Sequence, residues 1–182
     1  MDPGLVTRSQ RGDREALEAL VKALEPNLYS YLLRKVDDEH LAQDFLQEVL
    51  MRVVRSIGTY KPERPFESWV FTIAANLCRD YYRNPKRGQS LDAIQDGLKE
   101  TWVGEGPEDL ADRAEWMARL PKAVERLPPE QKEVVLLRVH GGMSFQEIAD
   151  ATGCPLNTAL GRMRYAILNL RKYLGVELES RP

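Results

Sequence analysis

The 182-residue sequence has few of the residues from which catalytic and metal sites are commonly built. It contains two cysteines and two histidines, which are Cys78, Cys154, His40 and His140. They show neither the spacing of metal ligands nor a nucleophile beside a base, and the sequence has no glycine-rich phosphate loop. We therefore expect no metal, no cofactor and no catalysis by this chain. The isolated thiols indicate a reduced, cytoplasmic compartment.

Long apolar runs and strand-type composition are also lacking. No stretch of 18 apolar residues occurs, and the N-terminus has no basic segment followed by an apolar core, so we expect neither membrane insertion nor a secretory signal. Aromatic residues make up only 8% of the chain, and Leu, Ala, Arg and Glu are far commoner than β-branched runs. This composition predicts a soluble, all-α protein.

A basic composition is lacking as well, since the net charge is −2, but the charges are unevenly distributed. Residues 76–88 carry four cations against one acid, and no acid occurs between Asp150 and Glu177. Between these basic segments, residues 89–115 hold eight acids against two cations. The pattern predicts two small helical domains, residues 1–87 and 113–176, joined by a flexible acidic linker over 88–112 and followed by a tail at 177–182.

The C-terminal domain contains the most informative stretch, residues 143–173. Ser144 and Glu147 stand in capping-box register, Gly153 supplies a turn, and Pro155 opens a second helix in its first turn. We expect an apolar stripe on this second helix to face the core, made of Leu156, Ala159, Leu160, Met163, Ala166, Ile167, Leu170 and Leu174. Arginines lie largely off the stripe, so the layout is typical of a DNA-binding helix-turn-helix. The alternative is an αα-hairpin with a solvated basic face.

Upstream, the pattern predicts a loose tail over Met1–Thr7 and a helix that begins at Asp13 and breaks or kinks at Pro26. A long helix follows from Asp37-Asp38 to about residue 57, then a loop over 58–65, and then a helix over 66–83. Beyond the linker we expect helices over 107–127 and 130–139.

Two surfaces of the first domain carry chemistry. One face of the long helix (α3, from Asp37-Asp38 to about residue 57) carries a row of mostly polar and charged residues that we refer to as the α3 strip: Asp44, Gln47, Glu48, Met51 and Arg55. The strip is either a docking surface for a basic partner helix or a solvated surface. On the next helix, aromatic residues alternate with arginines, which suits melted nucleic acid because rings stack on bases and guanidinium groups hold phosphates. The alternative is that these rings belong to the core and the arginines only solubilise the helix.

Three segments, in this order, resemble the extracytoplasmic-function sigma factors of bacterial RNA polymerase. Residues 42–55, AQDFLQEVLMRVVR, resemble the helix that binds core polymerase, with Asp44, Gln47 and Glu48 at its D-x-x-Q-E positions. Residues 66–87 resemble the helix that melts and reads the −10 element. Residues 127–138, LPPEQKEVVLLR, followed by the helix-turn-helix, resemble the domain that reads the −35 element.

The resemblance implies a promoter-specificity subunit whose partners are core RNA polymerase, promoter DNA and an anti-sigma factor. The implied core-polymerase contacts are the α3 strip: Asp44, Gln47, Glu48, Met51 and Arg55. The implied −10 contacts are Tyr60, Lys61, Arg64, Trp69, Asn76, Arg79, Tyr82 and Arg83. The implied −35 contacts are Asn157, Thr158, Gly161, Arg162, Arg164, Tyr165 and Arg171.

The recognition helix departs from the family pattern. That helix typically begins Gly-Thr-Val-Lys-Ser-Arg-Leu, whereas residues 157–163 read Asn-Thr-Ala-Leu-Gly-Arg-Met. No known −35 sequence therefore transfers to this chain. Two other functions are carried as alternatives: a stand-alone helix-turn-helix regulator that binds operators, and a sigma mimic that titrates a regulator.

Overall fold

The computed structural model describes residues 2–83 and 110–175, and within these ranges every regular element is helical. This confirms the all-α prediction. The helices are α1 (Pro3–Gln10), α2 (Arg14–Val36), α3 (Glu39–Ser56), α4 (Phe66–Arg83), α5 (Leu110–Glu125), α6 (Pro129–Val139), α7 (Phe145–Thr152) and α8 (Leu156–Leu174), with a 3-10 turn at Ile57–Thr59. The predicted linker lies outside the described residues except for 110–112, which begin α5.

The predicted loose N-terminal tail is wrong, because residues 3–10 form α1. Asp2 caps this helix by accepting a hydrogen bond from the Gly4 amide at 2.8 Å, and Pro3 occupies a first-turn position where its missing N–H costs little. Val6 is buried against the core and anchors α1 to α2. The Asp-Pro start was the sequence feature that indicated a helix here.

Of the break or kink predicted at Pro26, the break is wrong, because α2 runs without interruption from Arg14 to Val36. Proline removes the hydrogen bond to the carbonyl of the residue four positions earlier, here Lys22. Both residues lie on the exposed side of α2, where water can satisfy that carbonyl. The predicted N-cap is confirmed, since the Asp13 side chain accepts from the Ala16 amide at 3.1 Å.

Helices α3 and α4 begin and end close to the predicted residues, and each buries one face against α2 and the other helix. Asp38 caps α3 by accepting from the Leu41 amide at 2.8 Å. The apolar side chains of Phe45, Val49 and Val53 on α3 are buried. Of the basic segment 76–88, the structure describes residues 76–83, so Lys86 and Arg87 lie outside the described residues. Leu98 and Trp102 of the predicted linker lie outside them as well.

The helix-turn-helix forms as predicted at its turn. Gly153 adopts a left-handed conformation with φ of 68°, which glycine reaches without strain, and α7 ends there. Pro155 is the N-cap of α8 rather than a residue of its first turn. In the helices that precede the motif, α5 ends at Glu125 and α6 begins at Pro129.

The predicted core stripe of α8 is wrong in part. Ala159, Ala166 and Leu174 are buried, but Leu156, Leu160 and Ile167 are exposed. The buried face is centred on the two alanines, whose small side chains let α8 pack closely on its neighbours. The three exposed residues lie about a quarter-turn around the helix from that centre.

Two groups of helices share one contact surface, because α2 and α4 pack against α6 and α7. Lys35 of α2 pairs with Glu133 of α6 at 3.3 Å, and both side chains are largely buried. Near them, Gly141 approaches the Phe71 ring so closely that a Cβ atom there would lie 3.0 Å from the ring. The division into the domains 1–87 and 113–176 remains a prediction.

The capping box of α7 is complete and supports a stability prediction. The Ser144 hydroxyl accepts from the Glu147 amide, and the Glu147 carboxylate accepts from the Ser144 amide at 2.8 Å. Burial acts to raise the pKa of Glu147, but the Ser144 hydrogen bonds and the charge of Arg64 outweigh it, so the pKa lies below its ordinary value of 4.5. The charged carboxylate therefore stabilises the fold.

Replacing the cap should destabilise the helix in a pH-dependent way. Ser144→Ala should cost about 1 kcal/mol in the free energy of unfolding at neutral pH. Because the folded pKa of Glu147 is depressed, its contribution is present above pH 4.5 and lost as the pH falls through the lower folded pKa. Urea unfolding of Glu147→Gln should show a deficit at pH 7 that disappears in acid. A deficit of equal size at pH 7 and in acid would contradict this role of the Glu147 charge.

Candidate functional site

The α3 strip forms a continuous exposed row along its helix. Asp44, Gln47, Met51 and Arg55 are exposed, and the apolar Met51 is 46% exposed. Glu48 differs, because it is half-buried and its Oε1 accepts from Arg52 Nε at 2.6 Å. The strip therefore offers carboxylate, amide and thioether groups on a rigid scaffold.

Sequence reasoning missed one apolar member of the same surface. Val54 lies three residues beyond Met51 and is 42% exposed. An exposed Met and Val beside a carboxylate are typical of a protein-binding surface, where an apolar centre is bordered by charges.

An aromatic cluster forms the start of the predicted −10 surface. The rings of Tyr60, Phe66 and Trp69 contact one another, with centroids 5.0 to 5.4 Å apart. The Tyr60 hydroxyl donates to the Arg64 carbonyl at 2.6 Å and closes the loop between α3 and α4, while Lys61 and Arg64 remain exposed. The sequence predicted Tyr60 and Trp69 here, but not that Phe66 links them.

Helix α1 braces this loop, which no sequence argument anticipated. The Gln10 side-chain amide donates to the carbonyls of Ile57 at 3.0 Å and Tyr60 at 2.8 Å. Two hydrogen bonds from one side chain fix the turn that presents the aromatic cluster. The only sequence indication was that Gln10 falls at the end of a capped helix.

The remaining −10 residues lie on α4, but they differ in exposure and in the hydrogen bonds they make. Asn76 and Arg83 are exposed, and Arg83 lies 3.6 Å from Asp80. Tyr82 is 41% exposed and donates to the Lys35 carbonyl at 3.3 Å. Arg79 is half-buried, and its guanidinium donates both to Asn76 at 3.0 Å and to the Ala151 carbonyl in the last turn of α7.

Helix α8 presents the predicted −35 residues on the side away from its packed face. Asn157, Thr158, Arg164, Tyr165 and Arg171 are exposed, and Tyr165 is 62% exposed. The other two predicted contacts, Gly161 and Arg162, are half-buried. The opposite face is held by contacts with α6, among them a 2.8 Å hydrogen bond from Asn169 to Gln131.

The described residues contain little that could support covalent or metal chemistry. Burial raises the pKa of the Cys78 thiol to about 12, so the thiolate nucleophile is not formed near neutral pH. Within 2–83 and 110–175, no cluster of histidine, cysteine and acidic residues could hold a metal ion. In the same ranges no helix combines the length and apolarity needed to cross a bilayer.

The chain is similar to known proteins in two separate regions. The family model for Sigma-70 region 2 matches residues 20–88, and the model for Sigma-70, region 4 matches residues 117–163. The RNA polymerase sigma factor CarQ of Myxococcus xanthus is 32% identical over 173 residues, which cover 94% of this chain and 97% of CarQ. The ECF RNA polymerase sigma factor SigD of Mycobacterium tuberculosis is 31% identical over 155 residues, which cover 82% of this chain and 72% of SigD.

The fold matches a solved structure as well. The sigma factor RpoE, solved in complex with the anti-sigma factor NepR from Bartonella quintana, superposes with a TM-score of 0.65 at 23% identity and covers 88% of this chain and 97% of its own. Two region matches in order, relatives that align over most of this chain, and a common fold lead to one conclusion. The chain belongs to the extracytoplasmic-function RNA polymerase sigma factors, which direct promoter-specific transcription initiation by binding core polymerase and promoter DNA.

Proposed function

We propose that this sigma factor divides initiation among three surfaces: the α3 strip binds core polymerase, the loop and exposed face of α4 capture the melted −10 strand, and α8 reads the −35 duplex. The observation that carries the division is that the three surfaces differ in chemistry. The α3 strip combines carboxylate and apolar groups, the α4 surface combines rings and cations, and α8 carries cations with no acid between Asp150 and Glu177.

The −10 assignment rests on the aromatic cluster and the cations beside it. Melting a base pair costs roughly 1–2 kcal/mol of stacking per step. Stacking of a freed base on an aromatic ring returns about 1–3 kcal/mol, so a ring cluster next to Lys61 and Arg64 can offset strand opening. We assign the capture of an unstacked base to the loop at Tyr60 and the holding of the strand backbone to Arg79, Tyr82 and Arg83.

Transcription from a mixed promoter library tests the division. The purified chain, added to core polymerase, should yield start sites that share a −10 and a −35 element. A stand-alone regulator would instead bind duplex DNA without producing defined starts, and a sigma mimic would neither co-elute with core polymerase nor initiate. Defined starts that share a −10 element but no −35 element would refute the −35 role of α8 while leaving the −10 assignment intact.

The salt dependence of −35 binding should report how many phosphate contacts α8 makes. Replacing the exposed Arg164 and Arg171 with Ala should weaken holoenzyme binding and reduce the slope of log K against log salt by about 2, one for each lost phosphate contact. The matched control replaces Arg14 and Lys22, two exposed cations of α2, and should leave the slope unchanged. An unchanged slope for the α8 variant would place the phosphate-binding face elsewhere.

We also propose an anti-sigma factor as a regulatory partner, a cytoplasmic location, and action by binding alone without catalysis. The RpoE neighbour was solved bound to the anti-sigma factor NepR, which supports the first proposal. Contact with core polymerase and DNA requires the cytoplasm of a bacterial cell. The buried, protonated thiol of Cys78 supports the absence of nucleophilic chemistry at that residue. Affinity capture of the full chain from a bacterial extract, with identification of the bound proteins, tests the partner.

A further inference from the structure

The first two turns of α8 leave two leucines in water. Leu156 and Leu160 are 39% and 41% exposed, and because they are four residues apart they lie next to each other on the same side of the helix. The neighbouring helices leave both leucines exposed, whereas they bury Ala159 and Ala166 of the same helix. A pair of adjacent large apolar side chains indicates a surface that another molecule covers.

The charge around the leucines indicates which kind of molecule this is. Asn157 and Arg164 are exposed neighbours of Leu160 on the helix surface, three and four residues away. No acidic residue occurs from residue 151 to residue 176. A polyanion is therefore the occupant that matches the surface, and the first turns of a recognition helix are the part that contacts base edges in the major groove.

A glycine beside the leucines has no structural reason within the folded chain. Gly161 lies in the middle of α8, where glycine is less favourable than alanine. A Cβ atom added there would meet nothing within 4 Å, so neither packing nor backbone conformation requires glycine. What the missing side chain does provide is close approach of another molecule to the helix backbone.

We propose that α8 reads thymine in the −35 element by apolar contact, with Leu160, and Leu156 beside it, packed against thymine 5-methyl groups while Gly161 lets the helix sit close to the base edges. Only the thymine edge presents a methyl group in the major groove, so a leucine there distinguishes thymine from the other bases. This inference rests on the proposed −35 role of α8. It adds the identity of the readout and the residues responsible for it.

Replacing thymine with uracil tests the contact, since uracil lacks only the methyl group. In a −35 duplex selected with holoenzyme, each thymine is replaced by uracil in turn and the affinity of holoenzyme for promoter DNA is measured. We expect about a four-fold loss at one or two positions, which is the equivalent of ~0.8 kcal/mol for one methyl-sized group. Leu160→Ala should bind the thymine and uracil duplexes equally well.

Ile167 offers a matched control on the same helix. It is also apolar and 43% exposed, but it lies seven residues beyond Leu160, roughly 10 Å farther along the axis. Ile167→Ala should keep the discrimination against uracil. Gly161→Ala should raise Tm by about 2–4 °C because alanine favours the helix. At the same time it should weaken −35 binding, because the added methyl holds α8 away from the DNA.

Several outcomes would overturn the inference. Equal affinity for thymine and uracil at every position would rule out the methyl contact. Discrimination that persists in Leu160→Ala would show that DNA shape or another side chain distinguishes thymine from uracil. Selected −35 elements without thymine would also contradict it. In all three cases α8 would still protect the −35 element from cleavage, whereas loss of that protection would refute the proposed −35 role itself.

Discussion

Reversing the charge of the α3 strip with Asp44→Arg and Glu48→Arg is expected to weaken core polymerase binding at least about a hundred-fold, which corresponds to ~3 kcal/mol. Asp44 is exposed and Glu48 half-buried on one rigid helix face, so both changes place a cation where the proposed partner surface is basic. Helix stability should change little, because the only intrahelical pair affected is Glu48–Arg52, and exposed pairs at this spacing contribute about 0.3–0.5 kcal/mol.

The control for this variant is an equal change of charge on α2. Glu18→Arg and Glu25→Arg replace two exposed carboxylates of α2 and raise the net charge by four, as the α3 variant does. Analytical ultracentrifugation with core polymerase should show a normal complex for the control and none for the α3 variant. If both variants lose binding equally, net charge rather than the α3 strip governs the association.

Exposed Met51 should contribute to the same contact by a different physical route. An apolar side chain at the centre of a charged surface gains affinity when the partner removes it from water. The structure leaves Met51 and Val54, three residues apart on α3, both exposed, which a charge pattern alone does not reveal.

The sequence predicted those features that depend on local rules. The capping residues Asp13, Asp38 and Ser144 each bond the amide three residues ahead, as their positions indicated. Gly153 takes the left-handed conformation that its place after α7 required. Such features are short in range, so the residues that determine them lie within one helical turn of each other.

Features that depend on tertiary packing were predicted less well. The pattern placed Leu156, Leu160 and Ile167 in the core of α8 because they fall at helical spacing. Which part of a broad apolar face is buried depends on where the neighbouring helices lie, and that is settled by the close fit at Ala159 and Ala166. A single sequence has no access to that geometry.

The contact between the two helical groups was also beyond the sequence. Lys35 and Glu133 are 98 positions apart, and no local pattern pairs them. The same contact engages Arg79, which is predicted to hold the melted strand and which donates to the Ala151 carbonyl of α7 in this structure. The Ala151 carbonyl and the melted strand would therefore compete for the Arg79 guanidinium.

Reversing the charge of Glu133 should separate the two helical groups, and reversing the charges of both Lys35 and Glu133 should restore their contact. Glu133→Lys places two ammonium groups about where the 3.3 Å pair now lies. Because both partners are mostly buried, the loss should fall between that of a surface pair and that of a fully buried one, about 2 kcal/mol in the free energy of unfolding. For a chain of this size this lowers Tm by about 4–8 °C.

The separated state should also release Arg79. We expect the free Glu133→Lys protein to bind a single-stranded −10 oligonucleotide several-fold more tightly than the unmodified chain, because the guanidinium no longer has to leave the Ala151 carbonyl. The double variant Lys35→Glu, Glu133→Lys recreates an ion pair of opposite sense and should recover both the Tm and the weaker strand binding. If the two single changes add without recovery, Lys35 and Glu133 are not coupled. If Tm recovers but strand affinity never changes, the contact of Arg79 with α7 does not limit access to the melted strand.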